Sequence, residues 1–209
     1  MSDGAASYGW TDADSPESCG YIAPKILEIL RTHRDIAHVC DLGSGNGTLA
    51  GELKRSGYVV CGVEYDKEGC RISREKHPDI PFYNLGVQDN PEQVTALEGH
   101  FDAVVSTEVI EHLFSPHQLP NFAHGLLHKG GLLFISTPYH GYLKNLALSL
   151  ANKWDHHHTA LWHGGHIKFF SCSTLTTLLE NNGFRVLNFY GVGRLPWLWK
   201  SMILVAEAL

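Results

Sequence analysis

The first chemistry in this chain sits at residues 39–47, Val-Cys-Asp-Leu-Gly-Ser-Gly-Asn-Gly, where Asp41 precedes glycines alternating at Gly43, Gly45 and Gly47. Glycine permits backbone angles and close approaches that a side chain forbids. The stretch therefore suits a sharp turn from a strand into a helix over Thr48 to Arg55, with backbone N–H groups facing a ligand. A dinucleotide fingerprint spaces its glycines G-x-G-x-x-G. Here the third glycine comes one residue early and Thr48 stands in its place. A second acid, Glu64, closes the apolar run Tyr58 to Val63, at the distance of roughly 20 residues where an acid can take both hydroxyls of a ribose. A nicotinamide cofactor would satisfy Glu64 equally well, but the glycine spacing argues against one.

The remaining candidates are mostly imidazoles. Five of the 14 histidines fall within 156–166, together with Trp162 and next to Trp154. Three readings are open for this cluster. The side chains could be metal ligands, with H-x-x-H at 163–166. They could be acid/base or substrate-orienting groups, for which imidazole is suited near neutral pH. They could also be polar loop side chains. No carboxylate or thiolate stands at metal-ligand spacing within the cluster, so no metal site is expected. His166 is the leading candidate to orient an acceptor or take its proton, because Ile167 to Phe170 should return directly to the core. His140, just past the fifth expected strand, is next. An ordinary histidine titrates near ~6.5, so a base of this kind predicts activity that falls as pH drops through that region. Glu111-His112 reads either as a helix-start acid beside a surface histidine or as a pair belonging to the site.

These groups must be positioned by the elements around them. Strands are expected at 37–42, 58–64, 80–85, 101–106, 130–137 and 184–190, alternating with helices. That pattern implies an α/β fold with a parallel sheet and helices on both faces. The connection from 191 to 200 is too short for a parallel crossover, so 202–207 is expected as an antiparallel return beside 184–190. The whole of 1–209 reads as a single domain, with an N-terminal extension 1–35 and an insertion 139–166. The insertion follows the fifth strand at the carboxyl edge of the sheet, where open α/β folds bind ligands, and is placed to be a lid over a substrate.

Charge narrows the partners. The chain has 22 acidic and 16 basic residues in 209, a net charge of −6, and no basic cluster. Nucleic acid is therefore not expected as a partner. No apolar run approaches the length of a membrane span and no secretory leader is visible. The five cysteines lack C-x-x-C spacing, which fits a reducing cytoplasm. A homodimer is an allowed assembly.

Four motifs in order resemble those of class I S-adenosylmethionine (SAM)-dependent methyltransferases. The first is Asp41 with the G-x-G-x-G loop; the second is Glu64 after its strand. The third is Phe101-Asp102-Ala103-Val104-Val105-Ser106, extended through Val109-Ile110-Glu111-His112-Leu113. The fourth is Lys129-Gly130-Gly131-Leu132-Leu133-Phe134. A closing helix-then-strand unit at 169–186 is similar to that of the same family, and the nearest subfamily includes the ubiquinone-biosynthesis O-methyltransferases. The resemblance implies a Rossmann-like, doubly wound sheet of seven strands, mostly parallel, with the last antiparallel. It implies SAM as cofactor, S-adenosylhomocysteine as product, and a small-molecule acceptor, with oxygen favoured over nitrogen or carbon. It places Asp41, Gly43, Ser44, Gly45, Asn46, Gly47, Glu64, Tyr65, Thr107 and Glu108 around the cofactor. Glu111-His112 falls near cofactor and acceptor, making His112 a third catalytic candidate. The adenine step departs from the family pattern, reading Gly86-Val87-Gln88-Asp89; Gln88, Asp89 or backbone atoms could take the adenine amino group. The alternatives are a nicotinamide-dependent oxidoreductase and a non-catalytic SAM-binding regulator.

Overall fold

The computed structural model describes residues 17–158, 161 and 165–209. The chain begins with α1 (Cys19–Leu30), then β1 (His38–Leu42), α2 (Thr48–Arg55), β2 (Val59–Val63), α3 (Lys67–Lys76) and β3 (Phe82–Tyr83). It continues through α4 (Glu92–Glu98), β4 (Phe101–Thr107), a single 3-10 turn (Ile110–His112), α5 (Gln118–Leu126) and β5 (Leu127–Pro138). After β5 come α6 (Tyr142–Leu150), α7 (Trp154–His158), α8 (Cys172–Glu180), β6 (Phe184–Val192) and β7 (Ser201–Ala208). The seven strands form one sheet in the order β3-β2-β1-β4-β5-β7-β6. Strands β1 to β5 pair in parallel, while β7 lies between β5 and β6 and runs antiparallel to both. The short return expected from the ten-residue connection is what the chain makes.

The central strands are buried on both faces, which is why they read as continuous apolar runs, whereas the edge strand β6 is buried mainly at its two ends. Their side chains alternate between two cores. Cys40, Leu42, Cys61, Val104, Leu133 and Leu204 face the layer built from α4, α5 and α8. Val39, Val60, Ala103, Val105, Phe134 and Val205 face α1, α2 and α3. The expected sheet with helices on both faces is therefore present. Differences are confined to element ends. Strand β3 spans only two residues where 80–85 is expected, pairing through Gly62↔Phe82 and Val63↔Tyr83. Proline cannot donate to a ladder, so Pro81 limits the strand at its start. Beyond Tyr83, the Asn84 side chain leaves the ladder direction to hydrogen-bond the carbonyls of Glu64 and Tyr65, at 2.9 Å each.

Strand order reverses between β1 and β4, so the connections leaving their carboxyl ends diverge and open a crevice. That crevice positions the site.

Candidate active site

A cavity of about 280 Å3 occupies this crevice, walled by the ends of β1, β2 and β4, the glycine loop, residues 85–88, and the start of α1. Gly43, Gly45 and Gly47 have φ of 81°, 53° and 75°. At Gly43 a Cβ would lie 2.4 Å from Val109 Cγ2, so the turn is closed to any side chain. Gly43 and Gly45 line the cavity with Ser44 and Asn46. Gly47 is instead the residue that opens α2, and its α-carbon faces Ser73 and Phe82.

The loop's amides do not face a ligand as expected. The N–H groups of Gly43 and Ser44 both donate to Val63 O, at 2.8 and 3.0 Å, and Gly47 donates to Ser44 O at 2.9 Å. Gly45 donates to Glu64 Oε2 at 2.6 Å. The amino end of α2 is also taken, since the Ala50 N–H bonds the Asp41 carboxyl. A pyrophosphate needs free amides at that helix end; here the position belongs to a carboxyl group. The loop is thus shaped for close approach by a ligand, and its electrostatics suit a cation or a hydroxyl donor rather than an anion.

Two acids carry that character. Asp41 is 1% exposed, and its Oδ2 has no hydrogen-bond partner among the described residues. Burial, and then the nearby Glu64, push its pKa up to about 7. Glu64 has its second oxygen on the Asp66 N–H, 2.7 Å away. Burial raises its pKa to about 7 despite these amide bonds, which favour the charged form. The Ser44 hydroxyl is also buried without a partner among the described residues. Tyr65, Gln88 and Thr107 lie in the wall. Asp89 turns back, its Oδ2 accepting from Gly86 N at 2.7 Å. Glu108 is in the wall at φ 54°, its carboxylate oxygens accepting from Ser136 at 2.9 Å and Ser201 at 3.1 Å. Non-glycine residues avoid this region of φ; the two serines hold Glu108 there.

Next to the cavity stands a second group, Glu111, His112 and His166. His112 lines the cavity and His166 lies between two wall residues, Gly165 and Ile167. The Ile167 and Lys168 N–H groups both donate to Glu111 O, at 2.9 and 3.0 Å. Those bonds bring the end of the insertion onto the 3-10 turn. The two imidazole rings meet edge to face, 5.0 Å apart. Glu111 is 1% exposed; burial, then Glu108, drives its pKa well above the ordinary carboxylate range. Burial, then His112, brings His166 down to about 4. Burial therefore favours the neutral His166 imidazole and puts its titration below the ~6.5 of an ordinary histidine.

His140 is placed elsewhere. It lines a second cavity with Asn145, Trp154 and His158, stacking on His158 at 5.7 Å. Burial, then Lys144, lowers it to about 4 as well. Trp162 and His163 lie outside the described residues, as does the side chain of His156. Two contributions were not read from the sequence. One is the wall supplied by Cys19, Ile22 and Ala23 of α1; the period of apolar residues there was visible, but not what it would cover. The other is the meeting of Glu111 with His166, 55 positions apart in the chain.

Comparison with known proteins agrees with this fold. The model of the methyltransferase-domain family matches residues 17–188, and the chain belongs to that family. A ubiquinone biosynthesis O-methyltransferase from Xanthomonas oryzae pv. oryzae is 30% identical over 135 residues, 61% of this chain and 55% of the relative. The chain thus spans about half the length of that curated relative. The magnesium protoporphyrin IX methyltransferase from Synechocystis PCC 6803, crystallised with S-adenosylhomocysteine, superposes with a TM-score of 0.63 at 18% identity, covering 90% of this chain and 82% of that one. The cyclase SpnF superposes with a TM-score of 0.67 at 13% identity, covering 95% and 85%. One fold therefore hosts different reactions, and the reaction must be read from the site.

Proposed function

We propose that this chain transfers a methyl group from SAM to a hydroxyl oxygen of a small acceptor. The observation that carries the reading is the carboxyl-lined crevice whose loop amides at Gly43, Ser44, Gly45 and Gly47 are already satisfied. SAM fits that site: it is cationic at sulfur and at its ammonium, and it presents two ribose hydroxyls as donors. When bound, it supplies a methyl group on a sulfonium, a carbon already activated for in-line displacement.

The chain's own residues would bind, orient and exclude water. Glu64 retains acceptor capacity beyond its two amide bonds and would take the ribose hydroxyls. Gly43 and Gly45 let the backbone approach closely. Asp41, with its unpartnered oxygen, would face the cationic part. Gln88, in the wall beyond β3, is placed for the adenine edge. Thr107, Val109 and His112 form the side toward the acceptor. His112 and His166, with Glu111 behind them, would hold the acceptor hydroxyl and promote loss of its proton. His140 has no part in this, because it lines the other cavity. The curated relatives are O-methyltransferases by name, which supports oxygen as the acceptor atom. Five free thiols support a reducing, cytoplasmic setting.

The test incubates the purified chain with methyl-labelled SAM and a small-molecule cell extract. We expect label in a hydroxyl-bearing metabolite together with S-adenosylhomocysteine. Label only in nitrogen- or carbon-methylated products would contradict the oxygen assignment. Tight SAM binding with no turnover on any extract would favour a regulator.

A further inference from the structure

We propose that the cavity behind His140 is a second binding site, separate from the crevice, for a small carboxylate anion with an apolar body. The cavity measures about 330 Å3, and none of its described lining residues also lines the crevice. Four segments meet around it: His140 just after β5, Asn145 of α6, Trp154 and His158 of α7, and the run from Phe169 into the first turn of α8. Trp154 and Phe169 give it apolar walls. The Trp154 ring lies 4.2 Å from that of His158, and Phe169 meets both imidazoles edge to face, 5.1 Å from His140 and 5.0 Å from His158. Small-molecule pockets combine such walls with a few polar groups of fixed position.

Three buried polar atoms of the lining residues have no hydrogen-bond partner among the described residues: His140 Nε2, His158 Nε2 and Asn145 Oδ1. Buried polar atoms are normally satisfied, so three around one cavity point to a ligand that satisfies them. Burial, then Lys144, holds His140 at about 4 and lowers His158 as well. A neutral imidazole carries one N–H, and with its proton on Nε2 each ring is a donor to the ligand. The Asn145 amide nitrogen reaches the His140 carbonyl at 3.5 Å, beyond the ordinary range of an N–H···O bond. A half-turn of that amide exchanges oxygen for nitrogen at little cost and makes a third donor.

The surroundings select the sign of the charge. Lys144 is the charged group that acts most strongly on both imidazoles. It is itself buried, with Nζ donating to Lys200 O at 3.2 Å. Burial, then Arg194, brings it down to about 8, which leaves it charged at neutral pH. Ser171 and Thr174, also in the lining, belong to the opening turn of α8, the positive end of that helix. A cation would be repelled by Lys144 and by the helix end. A carboxylate takes the N–H donors through its two oxygens, while its apolar body lies against Trp154 and Phe169. The site adjoins the crevice along the chain, since Phe169 faces this cavity and Ile167, two residues earlier, faces the crevice. A ligand here therefore touches the segment that walls the crevice without entering it.

The test titrates benzoate, benzamide and benzylammonium separately into the purified full-length chain at neutral pH and reads binding by calorimetry. We expect one equivalent of benzoate to bind with a Kd of about 1 mM or below, the scale open to so small a ligand. Benzamide and benzylammonium should bind at least tenfold more weakly. His140→Phe keeps a ring and removes the donor; Asn145→Asp keeps the shape and adds a repelling charge. Each should weaken benzoate binding at least tenfold, with circular dichroism confirming the fold. SAM is titrated with and without saturating benzoate, and its affinity should be the same in both. Absence of saturable benzoate binding would overturn the site. So would tighter binding of benzylammonium, benzoate binding that survives both substitutions, or displacement of benzoate by SAM. Benzoate binding that meets these expectations in a chain that does not bind SAM supports this site and removes the cofactor reading of the crevice.

Discussion

A cofactor crevice of this kind is held open by individual backbone choices, and Gly43 is the most constrained of them. It combines a φ of 81° with a space already filled by Val109. Gly57, in the turn after α2, has a φ of 97° but open space around its α-carbon. The two therefore separate strain from steric closure. Left-handed backbone costs a non-glycine residue roughly 1–2 kcal/mol. We expect Gly57→Ala to lose about that much stability and keep its affinity for SAM. Gly43→Ala should lose more, and SAM affinity should fall about tenfold or more. Urea denaturation and calorimetric titration of both variants check this; equal behaviour would mean that the loop does not meet the ligand.

At the scale of elements, the alternation of strands and helices was legible because the central strands β1, β2, β4, β5 and β7 are buried on both faces and the helices packed against them on one. Val104 and Val105, adjacent in sequence, enter opposite cores. The antiparallel β7 followed from connection length alone. The site was legible where it is local: Asp41, the glycine loop and Glu64 lie within 24 positions of one another. It was not legible where the fold joins distant segments, as with Glu111 and His166, or α1 and the pocket wall. Nor could spacing show that the loop's amides are spent on Val63, since a carbonyl partner leaves no trace in residue type. Helix α8, which follows the insertion, has its own local signal. Ser171 and Thr174 cap it reciprocally, with the Thr174 N–H 3.3 Å from Ser171 Oγ and the Ser171 N–H 3.0 Å from Thr174 Oγ1. Losing such a cap costs about 1 kcal/mol. We expect Ser171→Ala to lower unfolding free energy by roughly that amount, with SAM affinity unchanged. An affinity change above twofold would mean that α8 and the insertion it follows are coupled to the crevice.

For the whole molecule, the crevice between β1 and β4 gathers buried acids, and their protonation links ligand binding to pH. Asp41 and Glu64 each sit near about 7 in the ligand-free protein, above their ordinary values of 3.8 and 4.5. A carboxyl raised in the folded state binds its proton more tightly there than in the unfolded chain. The ligand-free fold accordingly loses stability as pH rises from about 4 through about 7. A cationic, hydroxyl-donating ligand prefers the ionised carboxylates, so its binding expels protons in that window. An anionic dinucleotide shares the ribose contact to Glu64 but gains nothing from an ionised Asp41. The deciding measurement is calorimetric titration of SAM, and of NADH, between pH 5.5 and 7.2 in two buffers of different ionisation enthalpy. This range stays below the ~7.7–8.0 of an α-amino group. We expect SAM to bind more tightly as pH rises across the range, with net proton release that shrinks in Glu64→Gln, and NADH not to bind. NADH binding in place of SAM, or a SAM affinity that is flat across the range with no proton release, would contradict the assignment of this crevice as a SAM site.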